Sequence, residues 1–284
     1  MSPRYPTTPF TDGALLEAFE PLARDTDVFM AAASKVGQTW VLALLHHLRT
    51  EGMDPDFGGR GAMAATPWLE FPRDPSTGKP IDRTARLAEL EALPDPRVFK
   101  MHVVWEEIPR RARGKVITIT RDPRDVPWSM YQHLVGMQPH LHTTPFTDPG
   151  FDKWFDGWVE STPYFPIVRS FWEQRADPDL LWLRFEDLKV DLHRGARQCV
   201  EFLGWQVSDD GVARAVALSE LRAMQRQEAS LKMGAWKEGH RFVREGAVGK
   251  NRARLSADQE RRMVERARAT LEPECVDFVM NQRD

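Results

Sequence analysis

The stretch FMAAASKVGQTWVLALLHHL, from Phe29 to Leu48, decides the architecture. The apolar run VFMAAA (Val28 to Ala33) stops at Ser34, as a short buried strand does. Beyond Gly37, Trp40, Leu44, Leu45 and Leu48 recur at helical spacing, and Gly52 ends the pattern. A strand that turns tightly into a helix leaves unpaired N–H groups and the positive helix end at the turn. Lys35 and Thr39 sit there, and Gly37 permits close backbone approach, so the segment is a candidate anion cradle. It is not the G-x-x-x-x-G-K-[ST] loop of nucleoside triphosphatases. On these residues alone, a solvated loop lysine before an ordinary helix start is an equal alternative.

Three further strands are expected: RVFKMHV (Arg97 to Val103), KVITIT (Lys115 to Thr120) and LLWLRF (Leu180 to Phe185). Helices are expected at Ala14 to Phe19, over TARLAELEAL, from RDPRDVPWSMYQHL, over EDLKVDLHRGARQCVEFLG up to Gly204, and in short pieces to about Gln227. SADQERRMVERARATLE is a final helix, with Ser256 and Gln259 at capping-box spacing. Residues 1–26 form an irregular lead-in, Val135 to Tyr164 is rich in Pro, His and aromatics, and EGHRFVREGAVGKNRARL is a basic loop. Strands alternating with helices predict an α/β fold: one domain over residues 1–284, its central parallel sheet flanked by helices.

The composition is that of a globular chain, with 42% apolar and 29% charged residues among 284. The net charge of −3 gives no global field for nucleic acid, so an anionic ligand needs a local cluster of cations. Two cysteines, Cys199 and Cys275, argue against a disulfide framework or a cysteine-rich zinc site. No apolar run spans a bilayer and charges interrupt the N-terminus, so the expected location is cytoplasmic, with no membrane partner. The oligomeric state is not legible.

Polar clusters follow each expected strand: Lys35 with Gly37 after the first, Lys100 and His102 in the second, Arg121 after the third, Glu186-Asp187 after the fourth. Open parallel sheets bind ligands beyond the carboxyl ends of their strands, so these segments can share one site. Lys100 and His102 alternate along a strand and point to the same face. Histidine suits general-base work, although a structural histidine is the plainer explanation taken alone. Arg121 offers a planar fork of donors to a phosphate, with Ser129 eight residues on, or it forms a surface pair with Asp125. Glu186 and Asp187 fit the acidic start of a helix more simply than a metal pair. His46-His47 and His140-x-His142 lack the neighbours of a zinc site, and no metal is expected.

Taken in order, these segments resemble the sulfotransferases that use 3′-phosphoadenosine 5′-phosphosulfate (PAPS), in their cytosolic small-molecule branch. The family's Y-P-K-S-G-T-T-W is similar to Ala33 to Trp40, A-S-K-V-G-Q-T-W. Its R-(V/I)-x-K-T-H-L-P is matched by Arg97 to Val104, and its K-(V/I)-I-Y-(V/I)-x-R-N-P-x-D-V-x-x-S by KVITITRDPRDVPWS, with Arg121 and Ser129 in register. Y-E-D-(L/M) is matched from Phe185 to Leu188, and R-K-G-x-x-G from Arg244 to Gly249.

The resemblance implies an α/β fold with a P-loop-like phosphosulfate loop, and a sulfuryl transfer from PAPS to a hydroxyl or amine, leaving adenosine 3′,5′-bisphosphate (PAP). It implies His102 as base, with Lys35 and Lys100 at the leaving group. The donor would be held by Lys35, Val36, Gly37, Gln38, Thr39, Trp40, Arg121, Ser129, Phe185, Ser219, Leu221, Met224, Arg244, Glu245 and Gly246. MAATPWLEFP resembles the first acceptor loop; Trp68, Phe71, Trp154, Phe155 and Trp158 are candidate walls for a small, apolar acceptor. Departures are Val36 and Gln38 in place of hydroxyl residues, and Glu245 in place of a lysine. Two other classes stay open: a kinase using SKVGQT for ATP and Asp187 for Mg²⁺, and a catalytically impaired nucleotide-binding protein.

Overall fold

The computed structural model describes residues 4–74, 77–110, 114–231, 234 and 236–280, so the first three residues of the expected lead-in lie outside it. Four strands form one parallel sheet: β1 (Val28–Ala31), β2 (Val98–Met101), β3 (Lys115–Thr120) and β4 (Leu180–Arg184), in the order β2-β1-β3-β4. Each is built from apolar or β-branched residues and is almost wholly buried, apart from the start of β4. The other three strands end earlier than expected, where the chain turns into the site, and β2 also begins one residue later, at Val98; β3 matches at both ends.

The strand order matters more than the strands. The chain leaves β1 and returns on one side as β2, then crosses to the other side as β3. The loop after β1 therefore lies between the ends of β2 and β3, at the switch point where open α/β sheets bind ligands.

The helix Gln38–Arg49 packs on β1 and β2 and carries the helices Leu192–Leu203 and Asp209–Ser219. The helix Tyr164–Glu173 is tied to the end of β3, because the Tyr164 hydroxyl donates to the Arg121 carbonyl at 2.6 Å. It carries the final long helix Ala257–Thr270, whose Ser256/Gln259 capping box forms as expected. The expected single helix from Glu186 to Gly204 is two, Phe185–Val190 and Leu192–Leu203, because extended Asp191 (φ −149°) ends one and caps the next. The helices Phe151–Ser161, Tyr164–Glu173 and Pro273–Met280 lie where none was expected.

At the opposite end of the sheet from the site, Arg97 and Asp27 are both fully buried. Arg97 meets both carboxylate oxygens, at 2.7 and 2.6 Å, and donates to the Leu22 and Leu90 carbonyls. This pair anchors the starts of β1 and β2. No helix among the described residues is long and apolar enough to cross a membrane.

Candidate active site

The loop after β1 has an enforced geometry. Lys35 (φ 68°) and Gly37 (φ 106°) both occupy the left-handed region. A Cβ on Gly37 would lie 2.7 Å from the Phe185 ring, so glycine is required by both backbone and packing. No side chain caps the helix Gln38–Arg49, which leaves its first N–H groups at the end of the sheet. Gln38 turns inward: its amide donates to the Met30 and Met101 carbonyls at 2.8 and 2.7 Å, clipping β1 to β2. The Val36 side chain is fully buried in the core. Val36 therefore lies outside the cavity lining, whereas Lys35, Gly37, Gln38 and Thr39 line it.

That cavity has a volume of about 1230 Å³. Lys35, Lys100, Arg121 and Arg244 all line it. Burial, and then the fields of Arg244, Lys100 and Arg121, push the Lys35 ammonium down to about 7. Burial also pushes Lys100 down to about 8, against the opposing field of Glu70. Such a concentration of buried positive charge is costly until an anion enters.

His102 stands beside these cations. Its Nδ1 lies 2.7 Å from the Ala32 carbonyl, which can only accept, so Nδ1 carries the proton and Nε2 is left as a base. Burial, then the field of Lys100, holds its pKa near 3, keeping the imidazole neutral in this cation-filled cavity. Trp68 meets His102 edge-on at 5.0 Å, and the Lys100 ammonium sits over the Trp68 ring at 4.1 Å.

On the other side, Arg121 lies over Phe185 at 4.4 Å and donates to the Ala247 carbonyl at 2.8 Å. Its pair with Asp125, at 3.1 Å, is buried rather than on the surface. Arg244 donates to the Ser129 hydroxyl at 3.3 Å. The basic loop is pinned: the Asp125 carboxylate accepts from the Gly249 and Arg252 amides, both at 2.8 Å. Glu245 is exposed at the rim of the cavity and pairs with Lys250, while its field still reaches Arg244. Trp40, Phe185, Ser219, Leu221, Met224 and Gly246 line the adjoining part. Trp40 is held by its indole N–H on the Ser219 carbonyl at 2.8 Å.

The far wall is aromatic. Trp68 stacks on Phe71 at 4.1 Å and Trp154 on Trp158 at 5.4 Å, and all four line the cavity. Phe155 does not: it is fully buried in the core, because its helix turns it away from the face that carries Trp154 and Trp158. Asp187 also lies outside the cavity lining, which leaves the kinase alternative without its proposed metal ligand.

Two residues of the site were not expected. His133 Nδ1 lies 3.3 Å from the Lys35 nitrogen and accepts from it when Lys35 is protonated. It stands four residues after Ser129 on one helix, and that spacing was the available signal. Glu70 lies beneath Trp68 and His102, two residues from Trp68 along an extended segment.

Comparisons with known proteins identify the family and the fold. The sulfotransferase domain family matches residues 25–272. The amine sulfotransferase of Oryctolagus cuniculus is 26% identical over 264 residues, covering 87% of this chain and 80% of the relative. Sulfotransferase 1E1 of Cavia porcellus is 28% identical over 213 residues, 74% of this chain and 68% of the relative. Among solved structures, mouse sulfotransferase SULT7A1 complexed with PAP superposes with a TM-score of 0.72 at 20% identity, covering 96% of this chain and 95% of that one. Retinol dehydratase in a complex with retinol and PAP gives a TM-score of 0.69 at 21% identity, covering 88% and 82%. With the family matched over most of its length and its strand-end loops gathered at one cavity, the chain belongs to the sulfotransferase family of enzymes.

Proposed function

We propose that this chain transfers a sulfuryl group from PAPS to the hydroxyl or amine of a small, largely apolar molecule. One observation carries the reading: four cations, Lys100 and Arg121 buried and Lys35 and Arg244 half-buried, share a cavity with an uncapped helix N-terminus and a neutral histidine whose Nε2 remains a base. This donor set fits a bisphosphorylated nucleotide, since it is cationic, partly buried and bordered by Trp40 and Phe185, which suit an adenine ring. Bound PAPS supplies the activated sulfuryl group and a phosphate that leaves.

In this reading His102 takes the acceptor's proton at Nε2, while the bond from Nδ1 to Ala32 fixes ring and tautomer. Lys35, Lys100 and the Gln38 helix N-terminus offset negative charge growing at the leaving oxygen. Arg121, Ser129, Arg244 and Gly246 hold the second phosphate. Trp68, Phe71, Trp154 and Trp158 exclude water around the acceptor. Relatives that bind PAP, and one that holds retinol, support the donor and the small-molecule acceptor. The kinase alternative gains no observation in its favour, since Asp187 lies outside the cavity lining, and Glu245 at the rim is paired with Lys250.

The deciding experiment is PAPS consumption by the purified protein over a panel of phenols, steroids, sugars and amines. Transfer to at least one acceptor, with PAP released in equal amount, is the expected result. PAP binding without transfer to any acceptor would reduce the chain to a nucleotide-binding protein.

A further inference from the structure

Residues 67–70 run beside β2 as an extended ribbon. Lys100 N–H donates to the Pro67 carbonyl at 2.9 Å and Leu69 N–H to the Lys100 carbonyl at 3.0 Å, so Trp68 lies in register with Lys100. Alternation then places Trp68 and Glu70 on the face that carries Lys100 and His102.

Glu70 is fully buried, and its Oε1 accepts two hydrogen bonds, each of 2.6 Å. One comes from the Trp68 indole N–H, the other from the backbone N–H of His102. Among the described residues Oε2 has no hydrogen-bond partner. The Glu70 carbonyl accepts from the Asp12 amide at 2.8 Å, fixing the ribbon from its other side. A buried carboxylate with an unsatisfied oxygen costs free energy that an apolar side chain would not. It locks an indole of the aromatic wall to the backbone that carries the histidine, and its field favours the charged form of Lys100. The same indole is the seat of the Lys100 ammonium and the edge contact of the imidazole.

We propose that Glu70 is a positioning residue that couples the acceptor wall to the base, holding Trp68, Lys100 and His102 in one arrangement through a single carboxylate oxygen. The proposal rests on the function given above. A displaced Trp68 changes the shape of the wall, the seat of Lys100 and the packing of His102 together. Small misplacements of reacting groups have large rate effects, because the reaction needs atoms at near-contact distance.

The test compares Glu70→Ala with Glu70→Gln, which keeps an oxygen where Oε1 lies. Turnover of the best acceptor from the panel, PAP affinity and the Trp68 indole ¹H–¹⁵N resonance (assigned with Trp68→Phe) are measured together. Glu70→Ala is expected to lower kcat/KM about tenfold or more and to move the indole resonance, in a protein that still binds PAP. Glu70→Gln is expected to restore most of the activity and the resonance. Unchanged kcat/KM and an unmoved indole in Glu70→Ala overturn the proposal. Should Glu70→Ala fail to fold, Glu70→Met, which fills the space without an acceptor, and Trp68→Phe decide in a double-variant cycle: non-additive losses support the shared bond, additive ones refute it. Wild-type protein that binds no PAP overturns the proposed function instead, whereas PAP binding with an indifferent Glu70 overturns this inference alone.

Discussion

His102 donates from Nδ1 to the carbonyl of Ala32 at 2.7 Å, and so the end of β1 sets the tautomer of a histidine that follows β2. The bond crosses between neighbouring strands and leaves Nε2 as a base directed at the shared cavity. Removing that base is expected to lower kcat by about 10²-fold or more, the usual scale of general-base catalysis. In His102→Ala, PAP affinity measured by calorimetry should stay near the wild-type value. Undiminished turnover in this variant would falsify the base assignment.

The lysines make a pH prediction. Burial brings Lys35 to about 7 and Lys100 to about 8, so each loses its proton as pH rises through those values. An entering anion favours the charged form and raises both. At pH about 8 a phosphate group is already fully ionised, its second pKa being about 6. PAP binding there should take up protons, and affinity should fall between pH about 7 and about 9. Calorimetry in buffers of different ionisation enthalpy measures the uptake directly. Flat affinity with no proton exchange would mean that the two lysines do not meet the nucleotide.

Arg121 distinguishes the two anionic ends of the nucleotide. Arg121→Ala should weaken PAP more than adenosine 5′-phosphosulfate, which lacks the 3′-phosphate. Because Asp125 also holds the Gly249 and Arg252 amides, the loop should survive the substitution. Equal losses for both ligands, measured side by side, would remove Arg121 as the 3′-phosphate anchor.

Stability is tested far from the chemistry. Arg97→Met strands the fully buried Asp27 and should cost about 3–5 kcal/mol, read from urea denaturation. Replacing both partners by apolar residues should recover much of that loss. A single variant as stable as wild type would show that Asp27 is not held by this pair.

The fold was legible where each local signal had one reading. β3 is a β-branched run bounded by charge at both ends, and its limits coincide with expectation. The Ser256 capping box is a four-residue pattern with its own hydrogen bonds. The aromatic stretch around Tyr164 was not legible, because its rings divide between two uses: Trp154 and Trp158 face the cavity while Phe155 and Phe165 enter the core. Hydrophobicity marks such residues as fit to be covered, and says nothing of whether protein or a ligand covers them. The break at Asp191 escaped notice since an N-cap residue inside a helical pattern is also tolerated as an exposed polar residue.

The sequence by itself determined the strand ends and the chemistry they carry: a lysine loop before a helix, a Lys-x-His pair, an arginine and serine in fixed register. These are local patterns, set by backbone geometry over a few residues. Only the tertiary structure decided which of their side chains serve the site. It sent Gln38 and Val36 inward and Glu245 to the rim, and it brought His133 to Lys35 and Glu70 to Trp68 and His102. The reason is physical. A side chain's role depends on which donors, acceptors and charges lie within reach, and the strand order β2-β1-β3-β4 sets those neighbours across long separations in sequence.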